Sequence, residues 1–285
     1  MVTVSPPLVS IVILCHNYGR FLGEAIESAL AQTHQPVEVI VVDDGSTDHS
    51  VEVARRYPVQ LITQPNRGVC VAGNTGFAAA TGDYVLRLDA DDRLTPGYVE
   101  KTLRALESHP WAHFAYTAAE YFGARTGSYP IEPFSPDTLA ERNYVNASAL
   151  MRRRSLEDVG GYNVNMRAGR YEDWDLWLSF AERGLAGVMV PERLLMYRQH
   201  ATPSRGTLRL ASLRLLQREA SMAAQLRANH PRLFATPALL NRLRTLPRRT
   251  LTGSVSPHFS LMLVAFYSTM LAAAARARIA RRPSG

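Results

Sequence analysis

The chain has 285 residues, 46% hydrophobic and 20% charged, a composition that suits one large globular domain with or without an appendage and argues against collagen-like and disordered classes. Its formal net charge of +7 is unevenly spread. Residues 1–200 carry 18 Lys+Arg against 24 Asp+Glu, whereas residues 201–285 carry 14 Arg against Glu219 alone, leaving −6 and +13. The positive excess therefore belongs to a tail. Nucleic acid is not an expected partner of the core, and an acidic surface is the expected partner of the tail. Two cysteines, Cys15 and Cys70, are too few for a disulfide framework or a zinc ribbon and read as reduced thiols of a cytosolic protein. The apolar run from Leu8 to Leu14 is short and lacks a basic flank, so it reads as a strand and not as a secretory leader.

Strand and helix alternate over the first hundred residues. Val9 to Leu14 is a β-branched run without strict alternation, the pattern of a strand buried on both faces. Tyr18 to Gln32 sets Phe21, Leu22, Ala25, Ile26, Ala29 and Leu30 on one helical face. Val37 to Val42 is a second buried strand, ended by Asp43-Asp-Gly-Ser-Thr-Asp48, and Ser46 or Thr47 is expected to cap the helix that runs to Arg56. Strands at Val59 to Thr63 and Tyr84 to Leu88 flank a small-residue helix from Gly68 to Ala80. Repeated strand–helix–strand units predict a parallel sheet with helices on both faces, and ligands of such sheets sit beyond the carboxyl ends of the strands. A helix from Gly97 to Ser108 and a strand from Ala112 to Tyr121 follow, then an irregular loop from Gly123 to Pro136. Val145 to Met151 is expected to be a strand, Tyr171 to Phe180 a helix, and Val188 to Val190 and Leu194 to Arg198 two closing strands. From Thr207 the chain reads as Arg/Leu/Ala-rich helix broken at Pro231, Pro237, Pro247 and Pro257.

The predicted strand ends carry the polar clusters Cys15-His-Asn17, Asp43-Asp44 and Asp89-Ala-Asp-Asp92. Two carboxylates one residue apart at a strand end can converge on a hard divalent cation that bridges diphosphate oxygens. Either acidic cluster alone is also ordinary turn chemistry. Their recurrence at successive strand ends is what points to a site.

Ser10-Ile-Val-Ile-Leu-Cys-His-Asn-Tyr18, Ser28-Ala-Leu-Ala-Gln-Thr33, Val42-Asp-Asp-Gly-Ser-Thr-Asp48, Asn66-Arg-Gly68, Gly73-Asn-Thr-Gly76 and Leu88-Asp-Ala-Asp-Asp92 occur in that order. Gly160-Gly161-Tyr162, Glu172-Asp173 and Tyr197-Arg-Gln-His200 follow in the second half. Together they resemble the successive signatures of family 2 glycosyltransferases over roughly residues 8–205. The resemblance implies an α/β fold of GT-A type: a Rossmann-like, mostly parallel central sheet flanked by helices, here with a C-terminal helical extension. On this reading residues 1–205 form the catalytic domain, with 8–92 the nucleotide-binding half and 93–205 the acceptor side, and 206–285 the basic extension.

The resemblance also implies roles. Asp44 would accept a hydrogen bond from the nucleotide base, which suits the ring N–H of uracil, and Cys15, His16 and Asn17 would line the base pocket. Asp89 is expected near the ribose and the metal, and Asp91 as the metal ligand. The role of Asp92 stays open. Arg67 and Asn74 are expected to reach the nucleotide, although an ordinary surface arginine serves the sequence equally. Asp173 is expected to be the base that deprotonates the acceptor hydroxyl, with Glu172 as the alternative. His200 and Arg198 would close over the diphosphate, His200 joining the metal shell, and Arg205 would add a guanidinium. Gly160-Gly161 serves either close approach to the sugar or a plain turn.

The activity implied is inverting transfer from a nucleoside-diphosphate sugar, UDP-linked in expectation, to a hydroxyl acceptor in surface or secreted glycan synthesis, with Mn²⁺ or Mg²⁺ as cofactor. Transfer to a polyprenyl phosphate is one alternative; a non-catalytic sugar-nucleotide-binding protein is another. Leu251 to Ala275 contains no Asp, Glu, Lys or Arg and is flanked by arginines on both sides. It reads as a helix lying on an anionic membrane surface, with packing on the catalytic domain or a dimer partner as the rival. A glycan or lipid-linked acceptor, a homo-oligomer, and a cytoplasmic location at the inner face of the membrane complete the expectations.

Overall fold

A computed structural model describes residues 5–166, 171–201 and 221–234. The chain divides into two compact units, Met1–Thr202 and Pro203–Gly285. In the first, nine strands among the described residues form one sheet. Strands β1 (Val9–Cys15), β2 (Val37–Asp44), β3 (Gln60–Gln64) and β4 (Tyr84–Asp89) are all parallel, in the order β3-β2-β1-β4. They are joined through α1 (Gly19–Leu30), α2 (Ser50–Ala54) and α3 (Val69–Ala79). Every residue of β1 is buried, as its unalternating apolar sequence requires of a strand covered on both faces. The chain steps outward from β1 to β3 and returns to β4 on the other side of β1. That reversal opens a crevice beyond the carboxyl ends of β1 and β4.

The second half of the sheet is mixed. After β5 (Arg93–Leu94), α4 (Tyr98–Ser108) leads to β6 (Ala112–Gly123), and β8 (Leu150–Arg152) runs antiparallel to both β4 and β6. Helix α6 (Arg153–Val159) follows directly, and Gly160, left-handed at φ 89°, ends it. Helix α7 (Glu172–Glu182) buries Trp174, Trp177, Leu178 and Ala181, with Trp177 stacked on Phe114 of β6 at 4.8 Å between centroids.

Several expectations need correction. The span Gly123 to Pro136 is not wholly irregular: β7 (Gly127–Tyr129) pairs with β6. Helix α5 (Pro136–Glu141) follows, capped by the Ser135 hydroxyl with proline in its first turn. The strand expected from Val145 is confined to Leu150–Arg152. The two closing strands are one, β9 (Ala186–Gln199), which runs parallel to β6. Val190 pairs with Thr117 and Arg193 with Ala118, so Pro191 and Glu192 bulge from the ladder where proline lacks an N–H to donate. Neither Ser46 nor Thr47 caps α2. Asp48 accepts the Ser50 N–H there, while Ser46 and Thr47 bind Asn17.

In the second unit, residues 221–229 are helical and Pro231–Phe234 forms a further helical turn, with Met222, Ala223, Leu226 and Phe234 buried. The break expected at Pro231 falls between them. The remainder of the expected extension, including Leu251 to Ala275 and Arg205, lies outside the described residues. Among the described residues no helix is long and apolar enough to cross a membrane.

Candidate active site

A cavity of about 790 Å³ opens at the crevice between β1 and β4. Of the residues singled out from sequence, Cys15, His16, Asp44, Asp89, Asp91, Asp92, Glu172, Asp173, Arg198 and His200 line it. The residues come from the ends of β1, β2, β4 and β9 and from the start of α7, so segments separated by up to 185 positions meet there.

Asp44 ends β2 and is 5% exposed. Its Oδ1 accepts from Gln64 Nε2 at 2.7 Å and from the Arg67 N–H at 2.9 Å, and its Oδ2 accepts from the Gly68 N–H at 2.8 Å. His16 Nδ1 lies 2.9 Å from the Asp44 carbonyl oxygen, which can only accept, so that nitrogen carries the proton. His16 Nε2 then accepts from Asn66 Nδ2 at 3.1 Å. Cys15 is buried, and burial pushes its thiol pKa up, so it is a wall and not a nucleophile.

Three expected nucleotide contacts do not line the cavity. Asn17 adopts a left-handed φ of 59° and holds the neighbouring loop, accepting the Thr47 N–H at 2.8 Å. The Arg67 side chain is exposed, and its backbone N–H donates to Asp44. Asn74 clamps the Tyr162 backbone from both sides, donating to its carbonyl and accepting its N–H, each at 2.8 Å. Gly161 is needed for that clamp, because a Cβ there would meet Asn74 Oδ1 at 2.5 Å. Of the two readings of Gly160-Gly161, the geometry is that of a turn.

The acidic cluster after β4 is organised by arginines. Arg87, 4% exposed inside β4, binds Asp89 Oδ1 through Nε at 3.1 Å and Nη2 at 2.7 Å. Its Nη1 donates to Glu172 Oε1 at 2.9 Å and to the Tyr162 hydroxyl at 3.1 Å. Burial works against the guanidinium charge, but Asp89, Tyr162 and Glu172 outweigh it and hold the Arg87 pKa well above its ordinary value. Sequence reading passed over Arg87, yet a lone charge in a strand buried on both faces is a signal that a buried partner exists. Arg198 donates to the Asp91 carbonyl oxygen at 2.7 Å and to Glu24 at 2.8 Å, and its guanidinium lies 4.3 Å from the ring centroids of both Phe21 and Phe122. Two of its donors thus bind protein groups, and the residue also lines the cavity.

Asp91 and His200 meet at 2.7 Å between Oδ2 and Nε2. Burial raises the Asp91 pKa, with the His200 hydrogen bond opposing it, and burial likewise raises that of Asp92, which accepts the Arg198 N–H at 2.8 Å. Among the described residues no group of three His, Cys, Asp or Glu forms a ready metal cage. A carboxylate and an imidazole this close nevertheless fit a hard cation that takes the rest of its shell from phosphate oxygens and water. Asp89 is committed to Arg87 through one oxygen only, which leaves the other to the cavity.

Asp173 stands in the first turn of α7. Its Oδ1 accepts the Trp174 N–H at 2.8 Å and its Oδ2 accepts from Asn143 Nδ2 at 3.0 Å. Burial, and then the adjacent Glu172 carboxylate, push the Asp173 pKa up to about 7 against the pull of Arg87. Glu172 is bound by Arg87, with its Oε2 buried and without a hydrogen-bond partner. Tyr129, Asn146 and Tyr197 complete the walls named here; neither Tyr129 nor Asn146 was marked by any sequence motif.

The sequence profile described as Glycosyl transferase family 2 matches residues 10–171. Putative glycosyltransferase EpsE of Bacillus subtilis is 32% identical over 206 residues, covering 68% of this chain and 74% of EpsE. The uncharacterized glycosyltransferase YwdF of the same organism is 31% identical, covering 61% and 68%. The chain belongs to the family 2 glycosyltransferases and is a transferase. Among solved structures, Staphylococcus aureus TarS 1–349 aligns with a TM-score of 0.60 at 15% identity, over 92% of this chain and 80% of that one. Mycobacterium tuberculosis glucosyl-3-phosphoglycerate synthase, in complex with Mn²⁺, UDP and glucosyl-3-phosphoglycerate, gives 0.58 at 20% identity, over 80% and 81%. Mannosyltransferase PcManGT of Pyrobaculum calidifontis, in complex with GDP-Man and Mn²⁺, gives 0.56 at 20%, over 98% and 77%. At these identities the likeness is one of fold, the GT-A α/β fold.

Proposed function

We propose that this chain transfers a sugar, with inversion, from a UDP-linked donor to a hydroxyl of a glycan or lipid-linked acceptor in surface or secreted glycan synthesis. The observation that carries the reading is that Asp44, the Asp91–His200 pair and Asp173 line one cavity. Complexes of the structural neighbours with UDP, UDP-GlcNAc and GDP-Man support a nucleotide-sugar partner. Asp44 would meet the base, and His16 and Cys15 would wall it. Asp91 and His200, with the free oxygen of Asp89, would hold a Mn²⁺ or Mg²⁺, which when bound supplies positive charge to the departing diphosphate.

Asp173 is the base of this scheme. Each of its oxygens keeps a lone pair after binding Trp174 and Asn143, and a carboxyl poised near neutrality is matched to accepting a hydroxyl proton. As that proton passes to Asp173, the acceptor oxygen forms its bond to the anomeric carbon. The bond from that carbon to the diphosphate oxygen breaks, and its electron pair leaves with the nucleoside diphosphate. Glu172 is the poorer base because Arg87 already binds it. With Glu172 held by Arg87 and the Asp89 and Asp91 carboxylates given to the cation, Asp173 is left as the base, and a single displacement with inversion follows by analogy with hydrolases.

The test is turnover of a panel of nucleoside-diphosphate sugars with Mn²⁺ or Mg²⁺, comparing Asp91→Ala and Asp173→Asn. Asp173→Asn is expected to lose at least about a hundredfold in kcat while still binding UDP, and Asp91→Ala to lose its response to the cation. Full activity in Asp173→Asn would favour a phosphate acceptor that needs no base. No turnover of any donor would leave a binding protein.

A further inference from the structure

We propose that Gln64 sets the choice of base at the donor site. By engaging Asp44 it leaves that carboxylate one open acceptor position, matched to the single imide N–H of uracil or thymine and mismatched to the paired donors of guanine. The inference rests on the reading of Asp44 as the group that meets the base.

The register of β2 and β3 sets Gln64 directly opposite Asp44. An ionised carboxylate offers about four acceptor positions. Gln64 Nε2 and the Arg67 N–H take both positions of Oδ1, and the Gly68 N–H takes one of Oδ2. One position on Oδ2 remains. Thr75 Oγ1 donates to Gln64 Oε1 at 2.8 Å, which fixes the amide with its nitrogen toward Asp44. The Arg67 and Gly68 donors are backbone, so Gln64 is the one side chain among the three whose replacement frees an acceptor. His16 offers the base no compensating flexibility, because its ring is held by the Asp44 carbonyl and Asn66.

Uracil and thymine present one N–H between two carbonyls. Guanine presents a ring N–H beside an amino group, and that pair is satisfied by a carboxylate with an open position on each oxygen. At this Asp44 one of the two donors would be desolvated without a partner, a loss of about tenfold or more in affinity. Cytosine can offer its amino group to the open position but sets its ring acceptor beside the carboxylate, a repulsion that uracil does not meet.

The experiment is calorimetric titration of the full chain with UDP, GDP and CDP in the presence of Mg²⁺, repeated with Gln64→Ala and Thr75→Val. The native chain is expected to bind UDP about tenfold or more tightly than GDP, with CDP weaker than UDP. Gln64→Ala opens Oδ1 and is expected to narrow the UDP–GDP gap severalfold. Thr75→Val, which releases the Gln64 amide from its anchor, narrows it in the same direction and decides the matter should Gln64→Ala lose its native circular dichroism. Equal binding of UDP and GDP by the native chain overturns the proposal, as does an unchanged gap in both folded variants; either result leaves the glycosyltransferase reading standing. Failure of every nucleotide to bind overturns that reading as well.

Discussion

At the scale of single residues, the site pairs two acidic neighbours in unlike surroundings. Glu172 is 6% exposed and paired with Arg87, whereas Asp173 faces the cavity with its pKa pushed up to about 7. The sign of the resulting pH dependence is fixed by the role. A base must be deprotonated, so kcat/KM should rise about tenfold per pH unit below 7 and level off above it. A pH–rate profile checks this, and a flat profile across neutrality would remove Asp173 from the proton transfer. Phenols of Tyr129, Tyr162 and Tyr197 also surround the acid, but all three are pushed above their ordinary pKa by burial and stay neutral over that range. Asp44, Asp91 and Asp173 were legible in sequence because each stands at a strand end or a helix start, where a fold of this class exposes side chains to a ligand. Asn17, Arg67 and Asn74 belong to equally visible motifs. Their side chains serve the loop, the solvent and the Tyr162 backbone, which only contacts across up to 88 residues reveal.

At the scale of elements, Arg87 ties the strand that ends in the acidic cluster to helix α7 through its first residue, Glu172. Removing it leaves Glu172 buried with no cation and Asp89 without its anchor. Arg87→Met is therefore expected to lower the unfolding free energy by about 3–5 kcal/mol, the cost of an uncompensated buried charge. Urea denaturation measures it, and a loss below about 1 kcal/mol would mean that the pair is not structurally required. Helix α3 depends on small residues in a similar way. A Cβ on Gly76 would come within 2.2 Å of Val12 Cγ1, so the glycine lets the helix lie directly on β1. Strands β1, β2 and β4 were readable from apolar runs because both of their faces are covered. Strand β9 was read as two because Pro191 interrupts its hydrogen bonding while its partner β6 continues past. Helix α5 was missed although Ser135-Pro136-Asp137 is a sound start signal, since the helix it starts is only six residues long.

At the scale of the molecule, the separation of charge is the fact with the widest reach. Residues 1–200 carry −6 and residues 201–285 carry +13, and we propose that the basic segment holds the acidic one at an anionic surface, each arginine near it contributing about 1 kcal/mol. The full chain is expected to co-sediment with vesicles containing phosphatidylglycerol, to be released by salt, and to ignore phosphatidylcholine alone. Binding to both vesicle types alike, or to neither, would contradict an electrostatic attachment. The alternation of strand and helix over the first hundred residues, the positions of the acidic clusters and the family itself were determined by the sequence, because local periodicity and strand-end chemistry are written in contiguous residues. Which donors reach Asp44, which cation neutralises Glu172, and which carboxyl is left free to take a proton were decided only by the tertiary structure. Those outcomes depend on hydrogen-bond partners 20 to 109 residues away, and burial makes the number and direction of such partners, more than residue type, set the chemistry of a carboxylate.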